Sequence, residues 1–199
     1  FMPANRSVPD VAEKRKNWNG LISGFKASDL VFLDESGCNT DMTRRYAYSL
    51  GGSRVVDSAP LSKPKNTTIL SSIQLDGTLR YTTFSGGTTV ERFKRYLEID
   101  LLPHLNGNSV LIMDNMKLHH AKAVRNLLDS SGVRYIYLPP YSPDLNPIEK
   151  LWSKVKSFLR KFKARTLDAL PNAIQCAFQI VSPSDCSGWF HSCGYSPYF

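Results

Sequence analysis

Two segments of this chain carry four apolar residues followed directly by an aspartate. Residues 30–33 lead into Asp34, and residues 110–113 lead into Asp114. An unbroken apolar run of this length is typical of a strand that is buried on both faces. A carboxylate at the end of such a strand is costly unless another group compensates its charge. With Glu149 at the start of a later helix, the two strands predict a three-carboxylate metal site and phosphoryl chemistry.

The remaining pattern predicts a mixed sheet covered by helices. Asp76 and Gly77 separate two β-rich runs and indicate a hairpin. Thr88 and Glu91 form a capping-box pattern at a helix start. The predicted elements are a polar helix and connector within 9–27, strands at 30–34, 67–73, 79–84, 109–114 and 133–138, and helices at 88–101, 119–128, 146–163 and 166–180. Elements in this order form an α/β layered domain.

The helix that begins near Asn146 is both amphipathic and basic. Its apolar residues follow the helical repeat and should pack on the sheet: 148, 151, 152, 155, 158, 159 and 162. Glu149 flanks this stripe, and Lys156, Arg160 and Lys163 share its flank at 3.6 residues per turn. This arrangement suits a metal-bound phosphodiester whose strand runs along the helix. The alternative is a solvated helix face.

The segment before this helix contains four prolines in residues 139–147. Proline fixes φ and lowers the entropy cost of ordering a loop. We therefore predict a rigid connector that holds Glu149 against the strand-borne aspartates. Asn146, Pro147 and Glu149 also fit an ordinary helix N-terminal cap, so the sequence leaves both interpretations of Glu149 open.

Other interpretations of the acids are also open. Asp34 fits a strand-end aspartate that accepts backbone hydrogen bonds, and Asp114 with Asn115 fits a turn. Glu35 should point to the opposite face of the strand from Asp34 and is interpreted as a bystander. His119 could contact phosphate or orient the loop, but a histidine at a helix start is more often a surface or capping residue.

The formal net charge of +8 is concentrated in one part of the chain. Residues 117–165 contain 11 Lys and Arg but only 3 Asp and Glu. A basic segment beside acidic strand ends indicates a polyanionic partner; a solvated basic face is the alternative. No apolar stretch approaches the about 20 residues of a membrane span, and the start of the chain lacks a signal-peptide pattern. We expect no membrane partner.

The four cysteines form no CxxC pair, so we expect reduced thiols in a cytosolic protein. Cys186, His191 and Cys193 cluster near the C-terminus and are potential zinc ligands, but no fourth ligand lies at a suitable spacing.

Three segments together carry a resemblance to a known family. They are FLDES at 32–36, MDN at 113–115 with His119, and LPPYSPDLNPIE at 138–149 with Trp152. This set resembles the DDE transposases, and within them the Tc/mariner superfamily in its bacterial insertion-sequence branch. The 34 residues between Asp114 and Glu149 are a spacing typical of that group. The third acid is Glu, where mariner elements proper have Asp.

The resemblance implies a ribonuclease-H-like fold with a mixed five-stranded sheet flanked by helices. It implies that Asp34, Asp114 and Glu149 are catalytic residues that hold Mg²⁺, with Mn²⁺ as an alternative and two ions when DNA is bound. The implied reaction is cut-and-paste transposition, with hydrolysis at element ends and strand transfer into TA targets. The candidate DNA contacts are Arg44, Arg45, Lys117, His119, Lys156, Arg160 and Lys163.

The implied partners are double-stranded DNA, as terminal inverted repeats and TA target, and a second copy of the protein in a homodimer on DNA. The expected location is the bacterial cytoplasm, at the nucleoid. We expect a linker and helix in 1–27 and the catalytic domain in 28–199, ending in a helical tail, without the helix-turn-helix region of family members. Two other functions are considered: a ribonuclease-H-like nuclease that does not transpose, and a silent transposase-derived DNA-binding protein. The intact acid triad argues against the second.

Overall fold

The strands form one mixed sheet with β1 at its centre. The computed structural model of the chain describes residues 9–43, 49–54, 56, 66–164 and 166–195. In this part the strands are β1 (Leu30–Cys38), β2 (Thr67–Gln74), β3 (Leu79–Ser85), β4 (Val110–Met113) and β5 (Arg134–Tyr137), in the spatial order β3-β2-β1-β4-β5. β1 is antiparallel to β2 and parallel to β4. β3 is antiparallel to β2, and β5 is parallel to β4.

Helices cover both faces of the sheet. They are α1 (Pro9–Ile22), α2 (Val90–Arg95), α3 (Lys122–Ser131), α4 (Ile148–Phe162), α5 (Ala169–Gln179) and α6 (Pro183–Ser192). α2 continues through a π-helical turn at Tyr96–Leu101 and a 3-10 turn at Leu102–His104. Within the described residues, none of these helices is long and apolar enough to cross a bilayer.

Alternate side chains of β1 enter two different cores. Leu30 and Phe32 face a core that contains the apolar stripe of α4 together with α5 and α6. Val31 and Leu33 face a second core, against α2 and α3. Burial on both faces explains why the apolar run in β1 is unbroken. The predicted α/β class and the flanked five-stranded sheet are confirmed.

Two predicted helix starts are shifted in the structure. Thr89, not Thr88, caps α2, because its hydroxyl accepts the backbone N–H of Arg92. α3 begins at Lys122 rather than at 119 or 120, because residues 117–120 form turns that carry a buried histidine. Both shifts follow from local hydrogen bonds that compete with helix propensity.

The predicted hairpin and the predicted end of α3 both contain a glycine with positive φ. Gly77 has φ 92° in the turn between β2 and β3, and Gly132 has φ 71° after α3. A Cβ atom on Gly77 would lie 2.9 Å from the Cα of Pro183. Gly77 is therefore required both for the turn and for the close approach of the hairpin to α6.

The expected helical tail contains α6, whose bounds the sequence did not predict. A reciprocal capping box opens it: the Ser182 hydroxyl accepts the Asp185 N–H, and the Asp185 carboxylate accepts the Ser182 N–H at 2.8 Å. Cys186 and Cys193 are buried, unpaired thiols. The described residues contain no cluster of three metal-ligating side chains at this end of the domain.

α1 packs against the same core as α4. Trp18 of α1 is almost fully buried, and its indole N–H donates to the hydroxyl of Tyr195 at 3.0 Å. Ile22 belongs to the same core. The segment that the sequence suggested as a linker and helix therefore packs partly into the core of the α/β domain.

Candidate active site

The parallel pairing of β1 with β4 places two aspartates side by side. Leu33 pairs with Met113, so Asp34 and Asp114 are the next residues on two neighbouring strands. β1 and β4 run in the same direction. α/β proteins usually form their binding and active sites at the carboxyl ends of parallel strands. The sheet register thus brings together the two acids that the sequence singled out.

Asp34 is a buried carboxylate with two hydrogen-bond donors. Its side chain is 8% exposed. Oδ1 accepts the N–H of Glu35 at 2.7 Å, and Oδ2 accepts the indole N–H of Trp152 at 3.1 Å. Burial raises the pKa of Asp34 to about 7, even though these hydrogen bonds lower it, and the charges of Glu149 and Asp114 raise it further. Asp34 lies inside β1, which continues to Cys38, and not at the strand end that the sequence suggested. The backbone hydrogen bond is present, but it leaves this charge undercompensated.

Asp114 is held by two donors on one of its oxygens. Oδ1 accepts the N–H of Met116 at 3.0 Å, which is the turn that the sequence suggested. The same oxygen lies 2.8 Å from Nδ1 of His119. Oδ2 receives no hydrogen bond from the described residues. Asp114 therefore has one oxygen that is fixed and one that is open.

His119 connects Asp114 to a second acid. Its Nε2 lies 3.4 Å from Oε1 of Glu35, and its ring is fully buried. Burial lowers the pKa of His119, but hydrogen bonds and charges from Asp114 and Glu35 outweigh it and raise the pKa to about 10. Glu35 does point to the opposite face of β1 from Asp34, as predicted. It is wrong to regard it as a bystander, because it contacts the histidine that holds Asp114.

Glu149 lies in the first turn of α4 with its side chain exposed. Partial desolvation raises its pKa, Lys156 opposes this, and Asp114 raises it further. The cap that the sequence offered as an alternative does not form, because α4 starts after Pro147 without a side-chain cap. The Oδ1 atom of Asn146 is buried without a hydrogen-bond partner in the described part of the chain.

The three acids line one cavity of about 400 Å³. Its other walls come from the turn after β4 and from the proline-rich loop: Asn115, Met116, Leu138, Pro139, Pro140, Tyr141, Ser142, Pro143 and Asn146. Carboxylate oxygens are the ligands that Mg²⁺ and Mn²⁺ prefer, and the charge of Asp34 calls for a cation. The donor set fits such an ion. Within the described residues, however, no three ligating side chains lie close enough together to hold one metal ion.

The loop that leads to Glu149 is held from outside by two other segments. The guanidinium of Arg15, in α1, donates to both carboxylate oxygens of Asp144, at 2.7 and 3.2 Å, and also to the hydroxyl of Ser142. The hydroxyl of Tyr195 donates to the carbonyl of Leu145 at 2.6 Å. These contacts support the predicted role of the loop as a connector that positions α4.

The predicted DNA-contact residues differ in their placement. Lys156 and Arg160 are half-buried on α4, while Lys117 and Lys163 are exposed. Lys156 is close enough to Glu149 to affect its pKa, which agrees with their shared flank. The predicted contacts Arg44 and Arg45 lie outside the described residues.

His119 does not fit the DNA contact predicted for it. Its side chain has no exposed surface and stacks on Phe93, with ring centroids 4.5 Å apart. Both ring nitrogens face carboxylates, and a phosphate in their place would meet negative charge on both sides. In this structure His119 contacts Asp114 but does not line the cavity.

A family model described as DDE superfamily endonuclease matches residues 29–171. The chain belongs to this family. The matched segment contains all five strands and the three acids at the cavity. The family that the sequence motifs suggested is therefore confirmed.

The chain also resembles individual transposases in sequence and in structure. The chain is 31% identical over 83 residues to the "Transposable element Tc1 transposase" of Caenorhabditis elegans. These 83 residues are 42% of this chain and 30% of the relative. It superposes on the Mos1 transposase paired-end complex with left transposon end with a TM-score of 0.80, at 18% identity over 96% of this chain and 61% of that one. For the catalytic domain of Mos1 mariner transposase the TM-score is 0.68, at 16% identity over 96% and 91% of the two chains. These superpositions confirm the expected ribonuclease-H-like fold.

The chain spans about 60% of the Mos1 chains in the paired-end complexes and less than a third of the Tc1 transposase. Among the solved relatives is a Mos1 mariner paired end complex with Mn, with a TM-score of 0.76 and 18% identity.

Sequence reasoning missed two residues that shape the site. Trp152 was assigned to the apolar stripe and to the family motif, but its contact with the site was not predicted. A buried indole N–H needs an acceptor, and the neighbouring strand β1 offers Asp34. Arg15 gave no signal, because its partner Asp144 is 129 positions away. The first could have been found by asking where a core donor is satisfied; the second depends on tertiary packing alone.

Proposed function

We propose that this chain is the catalytic domain of a transposase that cleaves DNA phosphodiester bonds at the ends of a mobile element and transfers the freed strand into TA target DNA. The observation that carries the proposal is the convergence of Asp34, Asp114 and Glu149 on one cavity. Two of them are fixed by neighbouring parallel strands and one by a helix. The family match supports the same reaction class.

In this proposal Asp34, Asp114 and Glu149 hold Mg²⁺ or Mn²⁺. When bound, such an ion lowers the pKa of the attacking hydroxyl and stabilises negative charge on the phosphate. Asp34 supplies a charge that the protein itself leaves undercompensated, and its two hydrogen bonds fix the direction of its remaining lone pairs. Asp114 supplies its open oxygen, and Glu149 approaches from the exposed side of the cavity.

The basic flank of α4 suits the DNA strand that enters this cavity. Lys156 and Arg160 follow Glu149 along one side of the helix, so a phosphate backbone placed over Glu149 would continue past them. Replacing both by Ala should weaken DNA binding and reduce the salt slope of binding by about one unit for each lost phosphate contact. An unchanged affinity and slope would favour the solvated-face interpretation.

The decisive experiment measures cleavage of a duplex that carries the ends of the protein's own element, with Mg²⁺, Mn²⁺ or EDTA. Asp114→Asn should lower the rate by roughly 10³-fold, because several kcal/mol of transition-state stabilisation depend on the metal site. Asp168→Asn, at an exposed aspartate just before α5, is the matched control. Equal rates for the two variants would contradict the proposal.

The products distinguish the remaining alternatives. Joined products at TA sites support transposition, whereas cut ends without joining favour a nuclease that does not transpose. DNA binding without metal-dependent cuts would indicate a silent DNA-binding protein. We also propose that the active form is a homodimer on DNA in the bacterial cytoplasm, which crosslinking on paired element ends would test.

A further inference from the structure

His119 and Glu35 form a buried chain of contacts that ends on Asp114. Nδ1 of His119 lies 2.8 Å from Asp114 Oδ1 and 3.2 Å from the Asp114 carbonyl oxygen, and Nε2 lies 3.4 Å from Glu35 Oε1. The Glu35 side chain is 9% exposed, and His119 has no exposed surface. A buried imidazole between two carboxylates is not explained by packing, because an apolar residue would fill the same space without the cost of desolvating charge.

The surrounding contacts fix the His119 ring. It stacks on Phe93 at 4.5 Å, its backbone N–H donates to the Met116 carbonyl at 3.0 Å, and its carbonyl accepts the Tyr137 hydroxyl at 3.0 Å. Both the ring plane and the backbone are therefore held by the layer of the domain that lies away from α4. A group that is fixed in this way can determine the rotamer of a neighbour.

Asp114 is the acid that needs such support. β4 ends at Met113, so no strand pairing fixes the backbone of Asp114, and its side chain is 37% exposed. With Oδ1 bound by His119 and by the Met116 N–H, the carboxylate cannot rotate freely. Oδ2 is then the oxygen left for a ligand in the cavity.

We propose that His119 is a positioning residue that orients the Asp114 carboxylate for metal binding, and that Glu35 in turn orients His119. This inference rests on the proposed role of Asp114 as a metal ligand. Partners of this kind, one shell behind a ligand, typically change metal affinity by about 10- to 100-fold when they are replaced.

The test measures Mn²⁺ binding by the intact protein, from the electron paramagnetic resonance signal of free Mn²⁺, without DNA or turnover. His119→Asn keeps a donor near the Nδ1 position that faces Asp114, whereas His119→Gln moves it to the Nε2 position that faces Glu35. We expect about 10- to 100-fold weaker Mn²⁺ binding for His119→Gln and a smaller loss for His119→Asn. His104→Asn, at an exposed histidine, should bind Mn²⁺ like the wild type.

The outcomes separate the two proposals. Equal losses in His119→Asn and His119→Gln, or no loss in either while Asp114→Asn loses Mn²⁺, would overturn the positioning role but keep the metal site. Unchanged Mn²⁺ binding in Asp114→Asn would overturn the proposed metal site itself. If both His119 variants fail to fold, Glu35→Gln decides, since it leaves the ring in place: weaker Mn²⁺ binding supports the inference, and unchanged binding overturns it.

Discussion

The two sides of the cavity are built differently. On the sheet side, Asp34 is almost fully buried and accepts two hydrogen bonds from the protein. Asp114 accepts one from the Met116 N–H and lies 2.8 Å from Nδ1 of His119. On the helix side, Glu149 is exposed and no hydrogen bond to its side chain is present among the described residues. Its position depends on α4 and on the loop before it. Two of the three proposed ligands are thus fixed in advance, while the third is held only through the helix that carries it.

This difference has a thermodynamic meaning. Fixing a carboxylate before binding removes an entropy cost from the binding step, but burying its charge makes the metal-free protein less stable. The stability cost applies to the buried Asp34 on the sheet side but not to the exposed Glu149 on the helix side. We therefore expect the sheet side to determine metal affinity and the helix side to respond to metal and DNA.

Removing either kind of ligand should have the largest effect. Asp34→Asn and Glu149→Gln should each slow metal-dependent DNA cleavage by roughly 10³-fold, because each removes charge needed in the transition state. Mn²⁺ binding without DNA should distinguish them, with a larger loss for Asp34→Asn. Glu13→Gln, an exposed glutamate on α1, is the control. A larger loss of Mn²⁺ affinity for Glu149→Gln would reverse the comparison.

Releasing the loop should have an intermediate effect. Arg15→Ala removes both hydrogen bonds to Asp144 and the one to Ser142, while all three acids remain. A displaced Glu149 should slow cleavage by up to roughly 10²-fold, because small errors in placement are costly. Lys16→Ala, the exposed neighbour, should not. Normal cleavage in Arg15→Ala, together with normal thermal stability, would show that the prolines alone keep the loop in place.

The burial of Asp34 should produce a smaller, pH-dependent effect in metal-free protein. Its folded pKa of about 7 is above the ordinary value of 3.8, so its contribution to stability is complete below the unfolded pKa and is lost as the pH rises through 7. With EDTA present, the wild type should lose on the order of 1–2 kcal/mol relative to Asp34→Asn between pH 4 and pH 8, since water in this open cavity screens part of the charge. Chemical denaturation at several pH values measures this. Parallel pH profiles for the two proteins would contradict the burial of an ionisable charge.

The sequence predicted the strand-borne half of the site better than its surroundings. An unbroken apolar run before an aspartate encodes both the buried strand and the position of its acid. Parallel pairing of the two strands then brings the two aspartates together. The sequence placed Glu149 on its helix, but it could not distinguish a metal ligand from a capping residue, because both roles use the same position. His119 and Glu35 could not be paired from sequence, since they are 84 positions apart and meet only after β1 and β4 align. The helical tail was expected, but the bounds of the helix at 183–192 could not be predicted, because its short, Ser- and Gly-containing sequence has a weak helical pattern.

The hydrogen bond from Trp152 to Asp34 joins residues that are 118 positions apart. Contacts of such long range form late in folding, and during synthesis they cannot form before the later residue has left the ribosome. The central strand is made early, yet its acid is enclosed only when α4 docks. A nascent chain that ends before α4 would therefore hold Asp34 and Asp114 but no enclosed cavity. If the proposed function holds, we expect DNA cleavage to become possible only after about three-quarters of this segment has been made.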